Sequence, residues 1–267
     1  VDDYVHDVPE GSPIKKFWTP DRVQSMTSLM KKVSALTVST PRMKKKFEDL
    51  TGTPTYCIPN YIDFGNLRWK YARVDNKDKV KIGYLAGPTH GIDLEVIREP
   101  LRIVLQRNPN VTFKCVGYQP EWISELPPDQ VEQDAQYYDL LNYPKKMTDF
   151  DIGVAPLLDV PFNVTGKSPL KTLEYGVLRI PTVSSCIEPY RSEIIPGETG
   201  FLARDNRDWV GYLEILIKNK SRRAEMGWKV YEWIAKNRTI QDNVWRWSKA
   251  YREIVARRQE QYKMNAA

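Results

Sequence analysis

The sequence predicts an α/β protein built on a Rossmann-like, doubly wound parallel sheet. Short apolar segments typical of buried strands alternate with segments whose apolar residues follow the helical period. This alternation is regular from residue 81 onward, where right-handed βαβ units would bury the strands between two layers of helices. The predicted strands of this part are VKIGYLAG, VTFKCVG, FDIGVAPL, IPTVSSC and GFLAR, at 80–87, 111–117, 150–157, 180–186 and 200–204.

Helices are predicted between these strands and after the last one. The first begins at Asp93, because Leu94, Ile97, Leu101 and Val104 recur at helical spacing. The others are predicted at 122–126, 137–141, 169–178, 209–218, 222–236 and 241–261.

The first 80 residues have a different pattern. A helix at 20–35, a short strand at 36–40, a helix that begins at Pro41 and a strand at 55–63 predict a small α/β unit. Residues 64–80 are polar and irregular, which predicts a linker.

Composition sets broad limits on the class of protein. Hydrophobic residues make up 41% and charged residues 28% of the 267 residues, as in ordinary globular proteins. No segment approaches the ~18 apolar residues of a membrane span, and the first residues have no signal-peptide pattern. Three widely spaced cysteines form neither a disulfide framework nor a zinc pattern, which favours a reducing, cytoplasmic setting.

The formal net charge of +6 allows several interpretations of the role of the basic residues. Dispersed lysines and arginines are most often solvated helix faces. The functional alternatives are an anionic donor, an anionic membrane surface or a nucleic-acid acceptor. Charge alone does not choose among them.

Ligands of such sheets bind at the carboxyl ends of the strands. Three loops lie at that edge in the predicted arrangement, at 86–91, 157–169 and 186–200. In a compact domain, long loops rich in proline and glycine more often carry functional residues than serve only as connections.

The helix after the second of these loops has the largest number of candidate ligand-binding residues close together in the sequence. Ser168 is predicted as its N-cap and Pro169 as its first residue, so that its free amides face the ligand edge. Lys167 and Lys171 flank this end, where the helix dipole is already positive. An anion such as a diphosphate would relieve that conflict.

Glu174 lies one turn after Lys171 on the same helix face. Two interpretations stay open. The two residues could form a simple surface pair, worth a few tenths of a kcal/mol. The carboxylate could instead accept hydrogen bonds from ribose hydroxyls.

Several motifs, taken in order, resemble the donor-binding domain of retaining GT-B glycosyltransferases, especially the glycogen-synthase-like and mannosyltransferase-like group in its bacterial or phage subgroup. The resemblance covers nearly the whole chain, and each motif alone is weak. The motifs are the Pro59-Asn60-Tyr61-Ile62-Asp63 hinge, Ile82-Gly83-Tyr84 followed by Gly87-Pro88-Thr89-His90, the Lys167–Glu174 stretch, Ile180-Pro181-Thr182-Val183, and Gly197-Glu198-Thr199-Gly200.

The resemblance implies transfer of a sugar from a nucleotide diphosphate, such as a UDP- or GDP-sugar, with retention, without an obligatory metal and without a further cofactor. It implies catalytic roles for three residues and donor binding by seven, with two acidic residues near the acceptor or cleft. The catalytic residues would be Lys171, Glu174 and His90, the donor-binding residues Gly87, Thr89, Lys167, Ser168, Lys171, Glu174 and Tyr190, and the cleft residues Asp2 and Asp3. A lone loop histidine such as His90 is also commonly a surface or capping residue.

The resemblance also implies a division of the chain. Residues 1–63 would be a reduced remnant of the acceptor-side domain, 64–80 a linker, 81–237 the nucleotide-sugar domain, and 238–267 a helix that packs back toward the N-terminal part. Many members carry two glutamates separated by seven residues, whereas Gly166 stands at the earlier position here.

The first domain is short for a GT-B enzyme, so the sequence is expected to be a fragment of a longer chain, a reduced enzyme, or a chain that a partner completes. We therefore keep two alternatives to an active glycosyltransferase with an unknown acceptor. One is a non-catalytic nucleotide-sugar-binding or assembly subunit, and the other is a glycosyltransferase that acts on nucleic acid.

Overall fold

The computed structural model describes residues 1, 3–76, 79–136 and 138–266. The N-terminal part contains helix α1 (Pro20–Met30), strand β1 (Leu36–Val38), helix α2 (Pro41–Thr51) and strand β2 (Thr55–Cys57). The two strands are parallel, with Leu36 opposite Thr55. The predicted small α/β unit is therefore present, and we call residues 1–63 the N-terminal lobe.

Local sequence signals explain the ends of its helices. The hydroxyls of Thr19 and Thr40 accept hydrogen bonds from the first turns of α1 and α2, and a proline follows each threonine. Gly52 ends α2 with a φ of 69°, a left-handed conformation that favours glycine.

A six-stranded parallel sheet forms the larger part of the molecule, in the order β5-β4-β3-β6-β7-β8. The order reverses direction between β3 and β6, as in doubly wound folds. This confirms the predicted fold class. The strands are β3 (Val80–Ala86), β4 (Val111–Gly117), β5 (Val131–Asp134), β6 (Ile152–Ala155), β7 (Thr182–Ser185) and β8 (Phe201–Ala203).

Helices cover both faces of this sheet. On one face, α3 (Glu95–Arg107) and α6 (Asn206–Lys218) share a core with β3 and β4. On the other, α5 (Leu170–Val177) and α7 (Lys220–Asn237) pack together, and Tyr175 lies in their core. A short helix, α4 (Pro161–Gly166), occupies the middle of the predicted 157–169 loop.

The predictions around β5 were wrong. Residues 138–141 form no helix, residue 137 lies outside the described residues, and a strand is present at 131–134 instead. The cause is the sequence Val-Glu-Gln-Asp, which lies at an edge of the sheet with its two middle residues exposed. An edge strand of this kind lacks the apolar signal of a buried one.

The chain returns to the N-terminal lobe after α7. Ile62 accepts a hydrogen bond from the amide of Ile240 (3.0 Å) and donates one to the carbonyl of Arg238 (2.8 Å). Helix α8 (Ile240–Asn243) and helix α9 (Trp245–Ala266) follow. Trp245 and Lys249 line a surface pocket together with Cys57 of β2, so the start of α9 lies beside the N-terminal lobe.

Candidate functional site

The candidate site lies at the carboxyl ends of β3, β6 and β7. The chain after β3 forms a 3-10 turn at Pro88–Leu94 whose N-cap is Gly87. A side chain at Gly87 would meet open space. Thr89 and His90 are partly buried in this turn. The turn therefore offers an accessible backbone segment at the ligand edge of the sheet.

Asp93 connects this turn to the segment after β6. Its carboxylate is 1% exposed. One oxygen accepts hydrogen bonds from the Leu158 amide (3.0 Å) and from Asn163 Nδ2 (2.7 Å). The other lies 3.0 Å from Nδ1 of His90. The sequence interpretation missed this role, because Leu158 and Asn163 lie 65 and 70 residues further along the chain and Asp93 was assigned only as a helix start.

The electrostatics around His90 favour the neutral imidazole. Burial lowers its pKa to about 4, the nearby Lys171 and Lys167 cations act in the same direction, and Asp93 opposes the shift. The ring is therefore neutral near pH 7. With Nδ1 at Asp93, Nε2 remains the other polar atom of the ring.

The predicted cap of α5 was wrong by one residue. The helix begins at Leu170, its N-cap is Pro169, and no side chain caps it. The Ser168 hydroxyl instead accepts a hydrogen bond from Asn60 Nδ2 at 2.8 Å. Ser168 therefore joins the N-terminal lobe to the loop before α5.

Lys171 is a buried cation in the first turn of α5. It is 9% exposed, and its Nζ lies 5.4 Å from the centroid of the Tyr84 ring. No described carboxylate forms an ion pair with it. Burial lowers the pKa of Lys171 to about 8, helped by Lys167, while Glu174 and Asp93 oppose the shift.

Glu174 lies one turn further along α5 and does not pair with Lys171. Its carboxylate accepts a hydrogen bond from the Tyr143 hydroxyl. Burial raises the pKa of Glu174, and the Tyr143 hydrogen bond and the Lys171 charge partly offset that shift. The simple surface pair between Lys171 and Glu174 is therefore absent from the structure, and ribose binding by Glu174 stays a prediction.

Lys167 is 8% exposed and has a partner in the N-terminal lobe. Its Nζ lies 3.1 Å from one carboxylate oxygen of Asp3, and it contacts the Phe162 ring, whose centroid is 4.6 Å away. Asp3 therefore connects the N-terminal lobe to the loop before α5. Asp2 lies outside the described residues.

Two tyrosines complete the buried polar cluster. Tyr190, in the segment after β7, is 2% exposed, and Tyr84 is fully buried in β3. The Tyr84 hydroxyl has no hydrogen-bond partner among the described residues. Burial raises the pKa of both phenols, and the charge of Asp93 adds to the shift. These hydroxyls stay protonated near neutral pH.

A cavity of about 360 Å³ lies between the N-terminal lobe and the segments that follow β6 and β7. The lobe contributes the start of α2 with Arg42, and the larger part contributes Lys167, Pro169 and Glu188. The N-terminus of α5 therefore opens onto this cavity through Pro169.

The described residues contain no group of three or more His, Cys, Asp or Glu side chains arranged to hold a metal ion. Among the helices formed by the described residues, none is both long enough and apolar enough to cross a membrane.

No protein-family model matches the sequence, and no curated protein matches it. Solved structures do match the fold. TarM of S. aureus is 16% identical with a TM-score of 0.67 over 86% of this chain. Sucrose-phosphate synthase of Thermosynechococcus elongatus is 15% identical with a TM-score of 0.68 over 96% of this chain. HepE of Anabaena, in complex with UDP-glucose, is 12% identical with a TM-score of 0.67 over 89% of this chain.

These neighbours are GT-B glycosyltransferases. The chain has their fold. It spans 45% of TarM, 66% of sucrose-phosphate synthase and 69% of HepE.

Proposed function

We propose that this chain binds a nucleotide-diphosphate sugar and transfers the sugar to an acceptor with retention of configuration. The observation that carries the proposal is Lys171, a buried ammonium group at the N-terminus of α5 without an ion-pair partner among the described residues. Buried charges are normally paired. A diphosphate at this position would supply the missing countercharge.

The donor would lie across the carboxyl ends of β3, β6 and β7. In this arrangement the amides at the start of α5 and Lys171 contact the diphosphate, and Gly87 and Thr89 approach it from the turn after β3. Glu174 would accept hydrogen bonds from the ribose, with Tyr143 orienting its carboxylate. Since uridine nucleotides are bound in the HepE and TarM structures, UDP is the first donor nucleotide to test.

Transfer would break the bond between the anomeric carbon and the diphosphate oxygen and form one to the oxygen of an acceptor hydroxyl on the same face of the sugar. The proton of that hydroxyl would pass to the leaving diphosphate. Negative charge develops on the leaving diphosphate, and Lys171 would stabilise it without giving up its own proton. We propose that lysine residues, and no obligatory metal ion, carry this role. Neutral His90, whose Nδ1–H donates to the Asp93 carboxylate, would accept a hydrogen bond through Nε2. Tyr190 would contact the sugar of the donor.

The acceptor would enter through the 360 Å³ cavity between the two parts of the chain. This proposal retains the division into 1–63, 64–80, 81–237 and 238–267. Support comes from Asp3 and Asn60, which reach Lys167 and Ser168 from the N-terminal lobe.

The test combines binding and turnover. Calorimetry with UDP, UDP-glucose and GDP-mannose measures donor affinity, and donor hydrolysis or transfer to a panel of glycans, phosphorylated acceptors and duplex DNA measures activity. Lys171→Ala should lower turnover about 100-fold or more, because one preorganised charge at the leaving group is lost. Lys218→Ala is the matched control, since Lys218 is 70% exposed at the end of α6.

Equal turnover in Lys171→Ala and the parent chain would remove Lys171 from the diphosphate site. Donor binding that depends on Lys171, without hydrolysis or transfer in any arm, would favour a non-catalytic nucleotide-sugar-binding subunit.

A further inference from the structure

A second basic pocket lies at the opposite edge of the six-stranded sheet. It has a volume of about 310 Å³ and is lined by residues that precede β6 and β7, including Asp151 and Arg179. The candidate donor site lies at the carboxyl ends of these strands, so the two sites are separated by the length of the strands. We call this second site the basic pocket.

The basic pocket carries an excess of positive charge. Its lining includes four cations, Arg73, Arg179, Lys220 and Arg223, and two carboxylates. One of these, Asp151, already accepts hydrogen bonds from Asn76 Nδ2 (2.7 Å) and from the Lys81 amide (2.8 Å). The formal net charge of these six groups is +2, which favours an anion.

The N-terminus of α7 adds to this charge. Asn219 caps the helix by accepting a hydrogen bond from the Arg222 amide (2.8 Å), and the first turn contains no acidic residue. Lys220 and Arg223 lie in that turn, where they oppose the positive end of the helix dipole. A bound anion would remove this conflict.

Two arginines that line the pocket have N–H groups with no hydrogen-bond partner among the described residues. Arg223 uses Nη1 for the carbonyls of Leu216 and Ile217 at the end of α6, and this leaves its Nε and Nη2 for other partners. Arg73 donates to the carbonyls of Arg179 and Phe150, but its buried Nε has no partner among the described residues.

Arg179 is the most informative residue of the four. Its φ of 58° is left-handed, a conformation in which glycine or asparagine is the usual residue. Its guanidinium lies 4.6 Å from the Trp228 ring, and no described side chain or carbonyl accepts a hydrogen bond from it. The stacked guanidinium is thus held at the pocket with its N–H groups free for an anion.

We propose that the basic pocket binds an anion of the phosphate class, either free or carried by a sugar phosphate. Guanidinium groups bind phosphoryl oxygens through paired hydrogen bonds, and helix N-termini favour the same anions. The volume corresponds to about ten water molecules at ~30 Å³ each, which accommodates a pyrophosphate. This site does not depend on the proposed donor site.

The test measures binding of three probes by calorimetry at constant ionic strength, namely inorganic phosphate, pyrophosphate and glucose 1-phosphate. The Lys171→Ala chain is used, because it lacks the donor-site cation and leaves the basic pocket intact. Adding Arg179→Asn should weaken binding about tenfold or more. Asparagine tolerates the left-handed backbone, so the fold should persist, as circular dichroism would verify.

Lys220→Gln is a second variant that removes a pocket cation at an exposed position and should also weaken binding. Arg252→Gln on α9 is the matched control and should leave binding unchanged, since α9 contributes no residue to the pocket. Hydrogen exchange should show that the anion protects amides at 220–224. Tightest binding of inorganic phosphate or pyrophosphate would indicate a free anion, and tightest binding of glucose 1-phosphate would indicate a sugar phosphate.

The proposal is overturned if none of the three probes binds to the Lys171→Ala chain. It is equally overturned if binding is the same with and without Arg179, or if protection appears only near α5.

Discussion

Lys171 makes the candidate site sensitive to pH at the scale of a single residue. Its folded-state pKa of about 8 lies below the usual 10.5. The unfolded chain therefore binds more protons than the folded chain between these values, and stability should rise with pH across that window. Below about pH 8 the lysine is charged, and the full desolvation penalty is present.

A bound diphosphate should favour the charged form of Lys171 and raise its pKa. We therefore expect affinity for a UDP-sugar to fall as the pH rises from about 7 to about 9, and binding near pH 8 to take up a proton. Calorimetry in two buffers of different ionisation enthalpy measures that uptake. Lys171→Arg keeps its charge over this range and should show a flatter profile, and identical profiles for the two chains would contradict the prediction.

Sequence reasoning predicted part of the site at the residue scale. It selected Lys167, Lys171 and Glu174 from one continuous segment around the start of α5, because spacing along such a segment can be deduced from the sequence. It missed the contacts of Asp93 with Leu158 and Asn163, which are 65 and 70 residues away, and the contact of Tyr143 with Glu174, which is 31 residues away. Contacts between distant segments depend on packing, which helical and strand periods do not specify.

At the scale of elements, the buried strands and most helices followed from their apolar periods. The polar edge strand β5 and the short helix α4 did not, since each lacks a sustained period of its own. The register of α7 against the end of α5 also depends on a close approach. A Cβ at Gly227 would lie 2.3 Å from the backbone carbonyl oxygen of Arg179.

We expect Gly227→Ala to destabilise the protein by about 2 kcal/mol, because α7 must move away from the end of α5. Urea unfolding followed by circular dichroism measures this change. Gly211→Ala on α6 is the matched control, since nothing lies within 4 Å of the added methyl. That variant should gain up to about 1 kcal/mol from helix propensity, and equal effects in the two variants would refute the close-approach argument.

At the scale of the whole molecule, an apolar cluster connects the N-terminal lobe to the larger part. Phe162 of α4 is 2% exposed and packs with Val5 and Val8. Polar contacts accompany it, including a 3.1 Å hydrogen bond from the Thr40 hydroxyl to the carbonyl of Thr165. The position of the lobe over the cavity therefore depends on α4, the short helix that the sequence patterns did not predict.

Phe162→Ala should weaken this connection and lower the stability of the protein by about 3–5 kcal/mol. Hydrogen exchange should then show faster exchange of amides in β1 and β2 than in β3 and β4, because the lobe loses its apolar contact with α4 while the large sheet keeps its core. Leu101→Ala, which truncates a buried side chain of α3 in the core shared with β3 and β4, is the matched control and should accelerate exchange in β3 and β4 first. If Phe162→Ala accelerates exchange equally in all four strands, the N-terminal lobe and the large sheet unfold as one unit. The contact through α4 would then not control the stability of the lobe alone.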